Sequence, residues 1–178
     1  MPDSLQILGP YQALEPEVMK AMLDLSGLKN GEKYIDLGSG DGQFLKEAEL
    51  RGAVASGVEL DTTLANQCKA EGLKVTQGNL FDTDVSKMDV ITFWFTGPDV
   101  VKLMDKLYAE MKTGARLVCA SDNRKQYRQG VFIPEESGAI HLKNLAWQPP
   151  QSIAVSATPI GNHGVSRTVE RLIHIYVR

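Results

Sequence analysis

The chain has 178 residues, a hydrophobic fraction of 43% and a formal net charge of -3. That length fits one domain with a packed core, and the slight acidity speaks against the broad basic surface that non-specific duplex binding needs. No apolar run approaches the roughly 18 residues of a spanning helix, and Met1-Pro2-Asp3 lacks the basic start of a secretory signal, so a soluble, cytoplasmic protein is expected.

Residues 1–9 read as an irregular lead-in. A helix follows over 15–25, with Pro16 in its first turn, where the missing N–H costs nothing. Val18, Met19, Met22, Leu23 and Leu25 give it an apolar side, and Gly27 stops it. A short strand over 33–37 enters the glycine-rich segment Gly38-Ser39-Gly40-Asp41-Gly42. A helix over 43–50, a strand over 54–59, a helix over 62–71 and a strand over 73–77 come next. The run over 89–95 is rich in β-branched and aromatic residues and reads as a fourth strand. A helix over 98–111 ends at Gly114, and a fifth strand covers 116–120. Cys68 falls in a helix-like run and Cys119 in a strand-like run. With no Cys-x-x-Cys or Cys/His spacing, both read as reduced core thiols, and no metal site is expected.

Strand-helix alternation demands right-handed crossovers and a parallel sheet covered on both faces. The tail breaks the alternation. Gly130, Pro134, Gly138, Pro149, Pro150 and Pro159 punctuate it, with strands expected near 140–145 and 153–157 and one long strand over 168–177. The last two have no helix between them, so they should pair antiparallel. The expected architecture is α/β: a Rossmann-like, doubly wound sheet of about seven strands, mostly parallel, with an antiparallel C-terminal edge pair.

In such a sheet, ligands sit beyond the carboxyl ends of the strands, where the strand order reverses. The loop after the first strand is normally at that point, and glycines there let a ligand approach the backbone. The spacing discriminates among ligands. A dinucleotide fingerprint, G-x-G-x-x-G, fits Gly38 and Gly40, but its third position falls on Gln43. The third glycine comes one residue early, at Gly42, and the Gly-Lys-Ser/Thr of a phosphate loop is absent. The remaining pattern, Asp-x-Gly-x-Gly-x-Gly over 36–42, resembles motif I of the class I S-adenosylmethionine-dependent methyltransferases. That resemblance implies Asp36 facing the cofactor's ammonium through water, with the backbone of Gly38, Ser39, Gly40 and Gly42 under its carboxylate and ribose.

Two further features fit. Glu59, followed by Leu60, ends the second strand about 20 residues after the glycines, where an acid accepts both ribose hydroxyls. Its alternative role is a solvated strand end. Gly78-Asn79-Leu80 lies just past the third strand, beside the adenine in this fold. Its alternative is a plain Gly-Asn turn.

The likeness extends beyond motif I. Pro10-Tyr11, Met22-Leu23, the loop over 36–42, Gly78-Asn79-Leu80-Phe81, Val90-Ile91-Thr92 and the run over 111–118 resemble the short, single-domain protein-lysine methyltransferases of archaea and their mitochondrial relatives. The resemblance covers residues 10 to about 120 and implies Tyr11 as a further cofactor contact. It departs where those proteins carry Thr-Pro after the Pro-Tyr lead; here the place reads Leu14-Glu15. From Arg124 onward nothing matches. The expected organisation is one domain over 1–178, with a lead-in and helix over 1–30, a cofactor-binding core over 31–120, and C-terminal strands with substrate-side loops over 121–178.

After the fourth strand stands Phe93-Trp94-Phe95-Thr96-Gly97-Pro98. The Asn-Pro-Pro of adenine and glutamine N-methyltransferases is absent. Trp94 and Thr96 are the expected substrate-positioning residues. An apolar wall suits a lysine, whose amine must be neutral to attack and whose pKa falls on desolvation. Alternation puts Phe93 and Phe95 on one face and Trp94 on the other, and strand core is the competing reading for all three. His163 could serve as a base on a loop, but methyl transfer chiefly needs alignment and exclusion of water. The expected acceptor is a protein lysine. A small-molecule N- or O-methyltransferase with its pocket covered by 121–168, and a non-catalytic cofactor-binding regulatory protein, are the alternatives.

Overall fold

A computed structural model describes residues 13–95, 99–122, 127–128, 131–132, 151–158 and 168–178. Tyr11, Thr96, His163 and the strand expected over 140–145 lie outside the described residues.

The sheet has seven strands. β1 (Lys33–Leu37), β2 (Val54–Glu59), β3 (Val75–Gln77), β4 (Val90–Phe93) and β5 (Arg116–Asp122) are mutually parallel. A two-residue pair, β6 (Tyr127–Arg128) and β7 (Val131–Phe132), forms a small separate ladder that sequence reasoning did not foresee. β8 (Gln151–Ala157) and β9 (Val169–Val177) complete the main sheet, in the order β3-β2-β1-β4-β5-β9-β8. The expected antiparallel pair is present, and β9 lies inside, antiparallel to both β5 and β8.

The helices are α1 (Pro16–Ser26), α2 (Gln43–Leu50), α3 (Thr62–Ala70) and α4 (Asp99–Glu110). Gly27, at φ 60°, caps α1 in the left-handed conformation that glycine adopts without strain. One face of the sheet is packed by Val18, Met19, Met22 and Leu23 of α1, Phe44, Leu45 and Ala48 of α2, and Ala65 and Cys68 of α3. The opposite face is packed by Val100, Leu103, Met104 and Leu107 of α4. Alternation along β1 splits its residues accordingly: Tyr34 joins the first layer, Ile35 and Leu37 the second. Cys68 and Cys119 are buried free thiols, as expected.

Two boundaries differ from the expectation in a way that matters. β3 starts at Val75, not at residue 73; Leu73 instead closes α3 by donating its N–H to the Cys68 carbonyl. β4 ends at Phe93, so Trp94 and Phe95 leave the ladder. β-propensity extended that strand by two residues, but β4 stops level with the end of β1, where Leu37 lies opposite Phe93, although β5 runs on to Asp122.

Candidate functional site

The strand order turns between β1 and β4, and β1, β2 and β4 all run the same way. Their carboxyl ends therefore gather the glycine loop, Glu59 and the Trp94-Phe95 pair at one edge. The loop is shaped by its glycines: φ is 84° at Gly38, 53° at Gly40 and 78° at Gly42, all in the region closed to most side chains. At Gly38 there is a second reason for glycine, because a β-carbon would run into the Phe95 ring. At Gly42 the intruded atoms are Leu73 Cδ1 and Cys68 Sγ, so this glycine serves close packing of the loop on α3.

The Glu59 carboxylate closes the loop. Its Oε2 accepts from the Gly40 amide at 2.7 Å and its Oε1 from the Asp61 amide at 2.8 Å. Each oxygen retains a further lone pair. Glu59 is thus neither a solvated strand end nor free of a structural part. Asp61 caps α3, accepting from the amides of Thr63 and Leu64 at 2.7 and 3.0 Å. Leu60 between them is half-buried, and its carbonyl accepts from Gln77 Nε2 at 3.1 Å.

Asp36 is 3% exposed. Thr92, its neighbour across β1 and β4, donates its hydroxyl to Asp36 Oδ1 at 2.7 Å, and Tyr34 is hydrogen-bonded to the same hydroxyl from the other side. Burial drives the Asp36 pKa up to about 7; the Thr92 hydrogen bond works against that rise, and the Glu59 and Asp41 charges add to it. Thr92 and Tyr34 were missed from sequence. Their signal is a polar residue within the apolar run Val90-Ile91-Thr92-Phe93 and a tyrosine two residues before Asp36, both on the Asp36 face.

Ser39 points elsewhere. Its hydroxyl donates to the Asp36 carbonyl at 3.0 Å, inside the turn and 5% exposed, so only its backbone is offered to a ligand. Asn79 Oδ1 accepts from the Phe81 amide at 3.0 Å and caps the short 3-10 turn Leu80–Asp82. Its amide N–H groups are not used by that cap. Beside it, a β-carbon on Gly78 would meet open space, and Leu80 is half-buried against the α4 layer.

Trp94 and Phe95 diverge as alternation requires. Phe95 stacks on Phe93 at 5.9 Å and 16° in the α4 layer. Trp94 packs, half-buried, on the α1 side, under the Arg171 guanidinium, 5.1 Å from the ring centroid. Arg171 is held in turn by Glu15, with Nε to Oε2 at 3.0 Å and Nη2 to Oε1 at 2.5 Å. Neither charged residue was singled out from sequence. Glu15 occupies the place where the resembled proteins carry the second residue of Thr-Pro.

A cofactor fits this edge on two observations. Past the third strand, beside Asn79, the surface is open, since a β-carbon on Gly78 would meet nothing within 4 Å. Asp36, Asp41 and Glu59 crowd negative charge around the loop, as their mutual effect on Asp36 shows. That field repels a pyrophosphate and favours a ligand carrying positive charge.

Known proteins agree. A curated protein-lysine N-methyltransferase of Saccharolobus islandicus (strain REY15A) is 28% identical over 141 residues, which is 72% of this chain and 86% of that protein. Among solved structures, an RNA methyltransferase from Salinibacter ruber in complex with S-adenosyl-L-homocysteine superposes with a TM-score of 0.61 at 20% identity, over 93% of each chain. A SAM-dependent methyltransferase from Archaeoglobus fulgidus gives 0.67 at 16% identity, over 91% of this chain and 94% of that one. The family model described as methionine biosynthesis protein MetW matches residues 20–115, more than half the chain. The chain belongs to the MetW family, and its fold is that of the class I S-adenosylmethionine-dependent methyltransferases.

Proposed function

We propose that this chain transfers a methyl group from S-adenosylmethionine to a lysine amine of a protein substrate in the cytoplasm. The observation that carries the reading is an acid-lined glycine loop with Phe95 packed on Gly38 and Trp94 next to Phe95 at the end of β4. The name of the Saccharolobus relative supports the lysine acceptor.

S-adenosylmethionine, when bound, supplies a methyl group activated by a sulfonium. The chain's residues do the rest. Glu59 accepts from the ribose hydroxyls with its remaining lone pairs. Asp36 faces the ammonium, and Gly38, Gly40, Gly42 and the Ser39 backbone lie under the cofactor. Asn79 donates to the adenine, with Leu60 and Leu80 against its faces, and Tyr11 is a further cofactor contact. Trp94 and Thr96 align the acceptor, and residues 121–178 shape its approach. An apolar wall strips water from the lysine head group and lowers its pKa, so that the neutral, nucleophilic amine is populated.

The test is incubation of the protein with tritiated S-adenosylmethionine and cell lysate. Label in protein bands that survives base treatment supports an N-methylated lysine. Label confined to small molecules refutes it. The family description favours one second reading, in which the cofactor is a signal and not a reagent, because S-adenosylmethionine is made from methionine. Tight binding with no label anywhere would select that reading.

A further inference from the structure

Glu15 and Arg171 are both charged and both almost wholly buried, at 2% and 3% exposure. Their pairing joins residues 156 apart in sequence, the residue before α1 and a residue near the start of β9. A buried ion pair is weak evidence for stability. Desolvating both charges offsets their attraction, and apolar residues of similar size would tie α1 to β9 as well. What the pair supplies beyond cohesion is orientation. Two parallel hydrogen bonds fix the plane of a guanidinium, and this guanidinium lies over the Trp94 ring. Trp94 directly follows β4, at the sheet edge that carries the glycine loop. Glu15 thus orients Arg171, and Arg171 orients the indole.

We propose that Glu15 and Arg171 are positioning residues for methyl transfer, which hold the Trp94 indole in the one orientation that aligns the acceptor. The proposal rests on Trp94 as the acceptor wall. Helix α1 and strand β9, which lies inside the sheet, meet through this pair on a single side chain. Its loss acts on alignment, and therefore on turnover at saturating acceptor, while the cofactor contacts of Glu59 and Asp36 stay intact.

The test uses two variants of the full chain. Glu15→Met combined with Arg171→Met keeps volume and removes both charges, an exchange that folds are known to tolerate. Arg171→Lys keeps the charge and removes the fork and the planar stack. Three quantities are measured on each: melting temperature, calorimetric affinity for S-adenosylmethionine, and the saturating rate of tritium transfer to lysate protein. The expected result for both is cofactor affinity within about twofold of wild type and a saturating rate lowered about tenfold or more. Arg171→Lys carries the test alone if the double variant does not fold. A wild-type rate in either folded variant would overturn the proposal and leave the pair as a tie between α1 and β9. Parallel loss of cofactor affinity and rate would overturn it too, by assigning the pair to the cofactor site. If wild-type protein labels no lysate protein, the lysine reading itself fails, and this inference with it; label in wild type that is unchanged in the variants defeats this inference alone.

Discussion

Asp36→Asn should stabilise the free protein while weakening its hold on the cofactor. The Asp36 carboxyl is buried and its pKa is raised from 3.8 to about 7. At about 1.4 kcal/mol per unit, the ionised form is disfavoured in the fold by about 4 kcal/mol. The folded protein retains the proton that the unfolded chain releases near 3.8. The penalty is therefore absent below that value, grows as pH rises towards 7, and is constant above. Asparagine keeps an acceptor for the Thr92 hydroxyl and carries no charge, though its new N–H groups need partners and reduce the gain. The expected advantage of the variant is about 2–4 kcal/mol at about pH 8, shrinking towards zero by about pH 4. Urea unfolding of both proteins without ligand, at those two pH values, measures it. A variant less stable than wild type by the same margin at both would refute the reasoning, since the carboxylate would then contribute only its hydrogen bond. Calorimetry on the same samples should show the opposite sign for binding. With Asp36 facing the cofactor's ammonium as proposed, binding would draw it into its ionised form, so wild-type affinity should rise with pH towards 7, and Asp36→Asn should lose that dependence.

Glu59→Ala should weaken S-adenosylmethionine binding by about 1.5–3 kcal/mol, the range for losing hydrogen bonds to a charged group; because Glu59 also holds the Gly40 and Asp61 amides, its ligand-free melting temperature should fall as well, and an unchanged value would show those bonds to be dispensable. Gly38→Ala meets both an unfavourable φ and the Phe95 ring. Adding Phe95→Ala to Gly38→Ala should recover the steric part and leave about 1–2 kcal/mol of backbone strain, read as coupling in a double-mutant cycle of chemical unfolding; strict additivity would mean the ring simply moves aside. Asn79→Ala removes the cap of the Leu80–Asp82 turn and should cost about 1 kcal/mol of stability, with a separate loss of cofactor affinity; unchanged affinity would confine Asn79 to the turn.

The parts of the site legible in the sequence are those governed by local rules. Positive φ at three closely spaced positions demands glycine, so Gly38, Gly40 and Gly42 announce the loop wherever the chain lies in space. Glu59 is legible because a crossover helix sets its distance from the glycines. Side-chain direction was not legible. Nothing local tells that the Ser39 hydroxyl turns inward to the Asp36 carbonyl, or that the Asn79 oxygen is engaged by the Phe81 amide. Trp94 and Phe95 look like strand because aromatic residues favour strands, yet β4 stops level with the end of β1, which is a property of the sheet. Glu15 and Arg171 were least accessible. Each looks like an ordinary surface charge, and their meeting depends on the β9 register, which sets Arg171 opposite Asp122 and Val155.

The place of β9 bears on how the molecule comes to be folded. β1 to β5 can pair in the order in which a ribosome delivers them, so the glycine loop and Glu59 can assemble early. The free side of β5 must then wait, since its partner β9 lies at 169–177, and β8, although made first, has β9 as its only strand neighbour among the described residues. Until that strand arrives, β5 is a bare edge open to pairing with other chains. Delayed closure over a long sequence separation is also slow. A nascent chain of this design therefore acquires its glycine loop before it is protected from aggregation. Substitutions that weaken the β5–β9 ladder should lower soluble yield more than they lower the melting temperature of the molecules that reach the folded state.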